Sequence, residues 1–286
     1  MRPPWPLRLP RRGGGDGTMR VRDGVLTRLL HVDDQPIVVH AWQRRDGNVA
    51  FRGTGPAGQH ALERAIERLR FALGVDDDLR PFYERFKRDR LIGPALRRRP
   101  WVRPRRRPWP WEALAWAVTA QLIESGRALQ IQRRIVYRWG PALDRLRDVP
   151  PADVIAARAP AELAALDLAP ARAIAMIRCA REVAAGRVDL SQPDADRRLL
   201  AIREIGPWTV QCLGLHGRGD PDSLPAGDLA YVKLVGRLAG LGRRATVEEV
   251  EEFFAPYEPF RALAGIAASM HFHKAIPTGP PLRLAA

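Results

Sequence analysis

Between Met19 and Thr54 the apolar residues fall in short runs separated by turn formers. The runs are Val25-Leu26, then Gln35 to Trp42 around Ile37, Val38 and Val39, then Asn48 to Phe51 after a turn at Asp46-Gly47. Runs rich in β-branched residues and bounded by an Asp-Gly pair predict a small antiparallel sheet. From Gln59 to Leu73 the period changes: Leu62, Ala65, Ile66, Leu69 and Leu73 recur at helical spacing with charges between them, and Leu79 to Asp89 repeats this more weakly. Beyond Trp111 every segment reads as helix: Trp111 to Ile123, Gly126 to Trp139, Ala152 to Ala157, Pro160 to Leu166, Pro170 to Ala185, a pair of short helices between Asp194 and His216, Leu229 to Leu238, Thr246 to Phe254 and Pro259 to His273. Strand signals are absent there. Gly186 stands where a C-terminal glycine would, and Thr246 with Glu249 has capping-box spacing. The pattern predicts a disordered basic tail over residues 1–17, an α+β N-terminal domain over residues 18–96, an Arg/Pro-rich crossing segment over residues 97–110 and an all-α domain over residues 111–286.

Composition narrows this picture. A chain of 286 residues that is 46% hydrophobic and 28% charged can bury a sizeable core, which excludes disorder throughout. The formal net charge of +15 favours a polyanionic partner. Lysine occurs only at Lys87, Lys233 and Lys274, so the surplus is almost all arginine, a skew that coding composition can also produce. Cys179 and Cys212 lack C-x-x-C spacing, and the histidines lack H-x-x-x-H pairing; His271 and His273, flanking Phe272, read as surface. No metal or cofactor is predicted. The first residues carry too many prolines for a signal peptide and no later run reaches membrane-spanning length, which predicts a cytoplasmic protein without membrane contact.

Seven arginines lie in the eleven residues from Arg97 to Arg107, among prolines that bar a helix. Such a run can be a phosphate-contacting strap with Trp101 or Trp109 free to stack, or a solvated linker; the linker is the expectation, because charge runs seldom define a site.

Candidate chemistry concentrates later. Asp194 can cap a first short helix bearing Leu199, Leu200 and Ile202; Glu204, Ile205 and Gly206 make a turn; Pro207 suits the first turn of a second helix running from Trp208 to His216. Consecutive backbone N–H groups at such a helix start can seat one phosphate of a nucleic-acid strand. Asp228, ahead of Leu229, Ala230, Tyr231 and Val232, reads by spacing alone as an N-cap. Together, L-x-x-I-x-x-I-G-x-W-T at residues 199–209 and P-A-G-D-L-x-x-x-K at residues 225–233 resemble the helix-hairpin-helix DNA glycosylase superfamily, and within it the 3-methyladenine DNA glycosylase II branch. The resemblance runs from about Trp109 to Phe272.

That resemblance implies a base-excision-repair enzyme that hydrolyses the N-glycosidic bond of damaged, alkylated purine bases in double-stranded DNA, acting as a monomer. It implies that Asp228 is the catalytic carboxylate, stabilising positive charge on the sugar and orienting a water. Within WEALAWAVTAQLIESGRA it puts Leu122 where relatives insert an apolar wedge, with Gln121 beside it, against the plain reading of a buried leucine at a helix end. Trp208 could stack on an extruded base or belong to the core; Trp116, opposite the stripe of Trp111, Leu114, Ala115 and Val118, is a weaker pocket candidate. Ile205, Gly206 and Thr209 would carry the hairpin's DNA contacts. Two departures stand out. Glu204 replaces the first hairpin glycine, and the four-cysteine cluster of some relatives is missing, which excludes an iron-sulfur version. Relatives that also nick the strand use a lysine two residues after the last hairpin glycine, where this chain has Trp208. The alternatives are a noncatalytic DNA-binding protein and a glycosylase for oxidised or mismatched bases.

Overall fold

The computed structural model describes the backbone of residues 1–272 and the side chains of residues 1–270, so the readings of the His271, His273 and Lys274 side chains fall outside it. Strands β1 (Met19–Arg22), β2 (Val25–Val32), β3 (Gln35–Gln43) and β4 (Val49–Thr54) form an antiparallel meander in chain order. Asp33 and Asp34 both take left-handed backbone, with φ of 50° and 60°, making the two-residue turn whose twist matches its flanking strands. Helix α1 (Gln59–Leu73) covers one face, where Leu26, Leu30, Val32, Ile37, Val39 and Ala41 meet Ala65 and Leu69. Each such leucine or isoleucine contributes about 1.5–3 kcal/mol by leaving water.

The helices α2 (Arg80–Phe86), α3 (Gly93–Arg98), α4 (Pro110–Ala120) and α5 (Ser125–Trp139) follow. A two-residue strand pair, β5 (Ala142–Leu143) and β6 (Leu146–Arg147), then precedes α6 (Ala152–Ala156), α7 (Pro160–Ala164), α8 (Pro170–Ala184), α9 (Ala195–Leu200), α10 (Pro207–Leu213), α11 (Leu229–Leu238), α12 (Val247–Phe254) and α13 (Arg261–Phe272). The β5-β6 pair corrects the expectation of no strand after Trp111; a left-handed Asp144 makes its turn, and two-residue strands are too short to leave a periodic trace. Prolines at the starts of α4, α7, α8 and α10 lose no hydrogen bond, because the first helical amides have no partner in any case. Gly186, with φ of 64°, ends α8, and Thr246 and Glu249 form the anticipated capping box on α12.

Two apolar cores organise the helices. One gathers α4 to α10 around Leu114, Val118, Ile131, Met176, Leu199 and Leu213. The other joins α11 to α13 with α2 and α3, bringing Phe82, Phe86 and Ile92 against Leu215, Leu234 and Phe254. Packing therefore divides the chain after α1, and not at residue 96.

The first seventeen residues are not a loose tail. The Met1 ammonium donates to the Val49 carbonyl at 3.0 Å and Trp5 Nε1 to the Pro100 carbonyl at 2.7 Å, while Leu7 packs with Val49 and Val75. Their composition looked too poor to order itself, but the arginine segment supplies what composition lacked. Arg103 donates to the carbonyls of Gly74 at 2.8 Å and Pro6 at 2.6 Å, and Arg106 pairs with Asp77. The side chains of Arg103 and Arg106 are only 5% and 9% exposed. Arg107 reaches Asp16 at 2.9 Å and Glu112 at 3.2 Å, and Glu112 accepts from Arg28 at 2.6 Å. The segment is thus not the solvated linker expected of it. Its tryptophans are also taken, with the Arg8 guanidinium 3.4 Å from the Trp101 ring centre and Arg68 4.7 Å from that of Trp109.

Candidate active site and DNA-facing surface

The α9–α10 hairpin forms as the sequence suggests, with one change at its start. Asp194 has helical backbone and caps nothing, because the amides of Ala195 and Asp196 already donate to the carbonyls of Gln192 and Pro193. The turn closes through the Ile205 amide and the Ile202 carbonyl at 3.0 Å. Glu204 takes left-handed backbone there, with φ of 73°, a conformation natural to glycine that costs another residue about 1–2 kcal/mol. Gly206, by contrast, has ordinary extended backbone and caps α10, receiving the amides of Thr209 and Val210. Among the described residues the amides of Gly206 and Trp208 make no hydrogen bond. Ile205 and Thr209 are buried and their amides already donate to the Ile202 and Gly206 carbonyls, which corrects the expectation that these two residues contact DNA directly.

Helix α4 lies deep in the first core, with every residue from Glu112 to Thr119 buried. This corrects Trp116, which is 4% exposed and packed among core residues, so it presents no face to an extruded base. A helix enclosed on all sides has no solvent face opposite its apolar stripe. At its end the chain changes direction sharply: Gln121 is extended and Leu122 is left-handed, with φ of 52°. Leu122 is 97% exposed, which discards the buried-leucine reading. Gln121 turns the other way, its amide nitrogen donating to the Glu204 carbonyl at 2.8 Å and to the Thr209 hydroxyl at 2.9 Å.

The hairpin leads to Asp228 through a clamped loop. Helix α10 passes into a π-helical turn over Gly214–Arg218, a widened geometry often found at functional sites. Gly214 is required there, because a side chain would collide with Ser223, whose hydroxyl donates to the Gln211 carbonyl at 3.0 Å. Arg261 forks onto Asp222, the Ala262 amide reaches the Pro221 carbonyl at 3.0 Å, and Leu224 and Ala226 are buried. Asp228 then opens α11, its Oδ1 accepting the Ala230 amide at 2.8 Å. The aspartate is the N-cap that spacing implied, yet half of its carboxylate is free: Oδ2 accepts no hydrogen bond among the described residues. Trp208 is half-buried, with its Cβ and an indole carbon 3.9 and 4.0 Å from where a side chain on Gly227 would begin. The hairpin tryptophan therefore lies against Gly227, the residue before the aspartate.

The surroundings of the carboxylate are neutral. Burial pushes the Cys212 thiol and the Tyr231 phenol well above their ordinary values, and the Asp228 charge adds to both shifts. Burial lowers His216, whose Nδ1 lies 2.8 Å from the Arg105 carbonyl. No group of three or more His, Cys, Asp or Glu residues converges as a metal site among the described residues. Sequence reasoning missed the left-handed Glu204, the π-helical turn and the Arg261–Asp222 clamp. Only the first left a trace, as a carboxylate in a glycine's place.

No protein-family model matches the chain. The DNA-3-methyladenine glycosylase of Bacillus subtilis is 26% identical over 219 residues, which cover 73% of this chain and 72% of that protein. Among solved structures, the 3-methyladenine DNA-glycosylase from Archaeoglobus fulgidus aligns with a TM-score of 0.77 at 20% identity, covering 90% of this chain and 91% of that one. An 8-oxoguanine glycosylase/lyase of Clostridium acetobutylicum, in complex with double-stranded DNA, aligns with a TM-score of 0.68 at 13% identity over 90% and 97% of the two chains. Four strands followed by helices, with the hairpin and its following aspartate, make this the fold of a helix-hairpin-helix DNA glycosylase. In sequence the chain is similar to 3-methyladenine DNA glycosylases.

Proposed function

We propose that this chain is a monofunctional DNA glycosylase that releases alkylated purines from double-stranded DNA in base excision repair. The observation that carries the reading is Leu122, held out in solvent on a left-handed backbone beside the hairpin. An enzyme that extrudes a base must fill the gap left in the stack, and an apolar side chain held out beside the hairpin and the half-free Asp228 carboxylate supports that use.

The chemistry follows from the groups at hand. The bond between the sugar C1′ and the base nitrogen breaks, and the base leaves with the electron pair. The Asp228 carboxylate stabilises the positive charge left on the sugar, and it orients a water and takes its proton as the oxygen adds to C1′. Alkylation makes the leaving purine cationic, and the indole of Trp208 offers it a face for cation–π stacking. The free amides of Gly206 and Trp208 offer a phosphate its donors. On this reading the protein acts on duplex DNA as a cytoplasmic monomer.

Hydrolysis without strand cleavage rests on the lysines. Lys233 is exposed and lies five residues after Asp228, about 140° around a helix from it, so its amine is directed away from the sugar that the carboxylate would face. The decisive experiment is incubation with randomly methylated DNA and chromatography of the released bases: methylated purines in the eluate uphold the reading, and none would refute it. Borohydride treatment of the same mixture checks the second half, since a covalent adduct that disappears in Lys233→Ala would make the enzyme a lyase.

A further inference from the structure

Gln121 was expected beside the wedge as a DNA contact, yet its amide faces the protein. A glutamine amide has two hydrogens to donate, and here both have acceptors: the Glu204 carbonyl at 2.8 Å and the Thr209 hydroxyl at 2.9 Å. These acceptors stand on the hairpin, 83 and 88 residues further along the chain. Thr209 is fully buried, so its hydroxyl is a fixed point. Glu204 is itself left-handed. One side chain therefore ties together two strained, non-glycine residues: Leu122, next to it in the chain, and Glu204, whose carbonyl it holds.

We propose that Gln121 is a positioning residue that couples the hairpin to Leu122, so that gripping the phosphate and opening the base stack occur as one rigid event. Two observations support this. Ile123 packs against the first core on the far side of Leu122, and on the near side Gln121, where the chain leaves α4, is tied to the hairpin; the leucine between them is 97% exposed. The hairpin, in contrast, is anchored in the first core through Ile205, Val210 and Leu213. A strained residue persists only where its surroundings over-determine it, and the double hydrogen bond supplies that constraint. The inference rests on the glycosylase reading, since it assigns Gln121 a role in base extrusion.

The test uses Gln121→Met, which keeps the length of the side chain and removes both donors. Thr209→Val removes one acceptor, and Thr209→Ser retains a hydroxyl. Single-turnover release of a methylated purine is measured from a fully paired duplex and from the same lesion in a bulge, while 2-aminopurine next to the lesion reports unstacking without requiring release. Gln121→Met should slow release from the paired duplex about tenfold, the scale of a lost hydrogen bond, and weaken the unstacking signal. Release from the bulge should stay within about twofold, because the stack there is already open. Thr209→Val should follow the same pattern, with Thr209→Ser restoring it. In a Leu122→Ala background Gln121→Met should add nothing, as expected of two residues acting as a unit. Equal slowing on both substrates, additive losses with Leu122→Ala or an unchanged unstacking signal would overturn the coupling. Absence of release by the wild-type protein would strike the glycosylase reading instead, and the unstacking signal would still judge the coupling.

Discussion

The segment from Arg97 to Arg107 turns its central arginines inward, whereas the loop after α4 holds a leucine out in water. By side-chain type alone the assignments should be reversed. Arg103 and Arg106 are buried because carbonyls of Gly74 and Pro6 and the carboxylate of Asp77 meet them, and a paired guanidinium can leave water where an unpaired one cannot, although the Arg106 Nε has no partner among the described residues. Leu122 forgoes about 2 kcal/mol that burial would return and adds the strain of a left-handed backbone. One region is held by satisfied charge and gives the fold its cohesion; the other is held against its own preference, as residues at functional sites often are. Residue type sets what an environment costs, and the partners available decide which environment is taken.

If this division is right, changes at the site should alter excision and spare stability, and changes around the arginines should do the reverse. The largest effect is expected from Asp228→Asn. Base release should fall by about a thousandfold or more, on the scale of losing a group aimed at transition-state charge. Asparagine caps a helix as well as aspartate does, so the melting temperature should hold and DNA affinity should stay within a few fold. Wild-type-like excision would remove Asp228 from the mechanism, and a large loss of stability would reduce it to a cap.

Next in size is Glu112→Gln, in the buried cluster that joins Arg107 to Arg28. Burial pushes the Glu112 carboxyl up from its ordinary value, and the guanidiniums at 2.6 and 3.2 Å pull it back. Removing one member of a buried charge network costs about 3–5 kcal/mol, which urea denaturation would register, while excision at a temperature where the variant stays folded should remain within a few fold. A variant as stable as wild type would break the comparison from the arginine side.

Leu122→Ala tests the other side. Release from paired duplex should slow by roughly ten- to a hundredfold, and less on mismatched lesions, because flipping costs a few kcal/mol only while pairing persists. Stability should change by no more than about 0.5 kcal/mol at so exposed a position. Leu114→Ala, in the core of the same helix, should instead cost about 2–5 kcal/mol. Equal losses on both DNA substrates would count against a wedge.

The smallest effect is expected from Glu204→Gly. It removes a carboxylate from the hairpin turn and relieves left-handed backbone, so DNA affinity should rise a few fold and stability by at most about 1 kcal/mol. Weaker binding by this variant would mean that the Glu204 carboxylate does not oppose the phosphate.

Much of this molecule was legible without coordinates. Periodicity located α1 and α11 to the residue and the other long helices within a few residues, and local sterics placed Pro207 in its first helical turn and Asp228 in its cap, though not Asp194. These are matters of near neighbours: which residues share a helix face, which side chain can cap an amide two residues on, where proline costs nothing. The contacts that join distant parts of the chain are of another kind. Gln121 meets Glu204 across 83 residues and Arg28 meets Glu112 across 84, and no local pattern encodes either pair. The burial of Trp116 depended on α4 being enclosed from every side, and the anchoring of the first residues depended on an arginine segment a hundred positions away. By itself the sequence determined the helices, the hairpin and the aspartate that caps α11, because short-range sterics and hydrogen bonds suffice for these. Only the tertiary structure decided which charges are buried and which leucine stands free, because both depend on partners that folding brings from far along the chain.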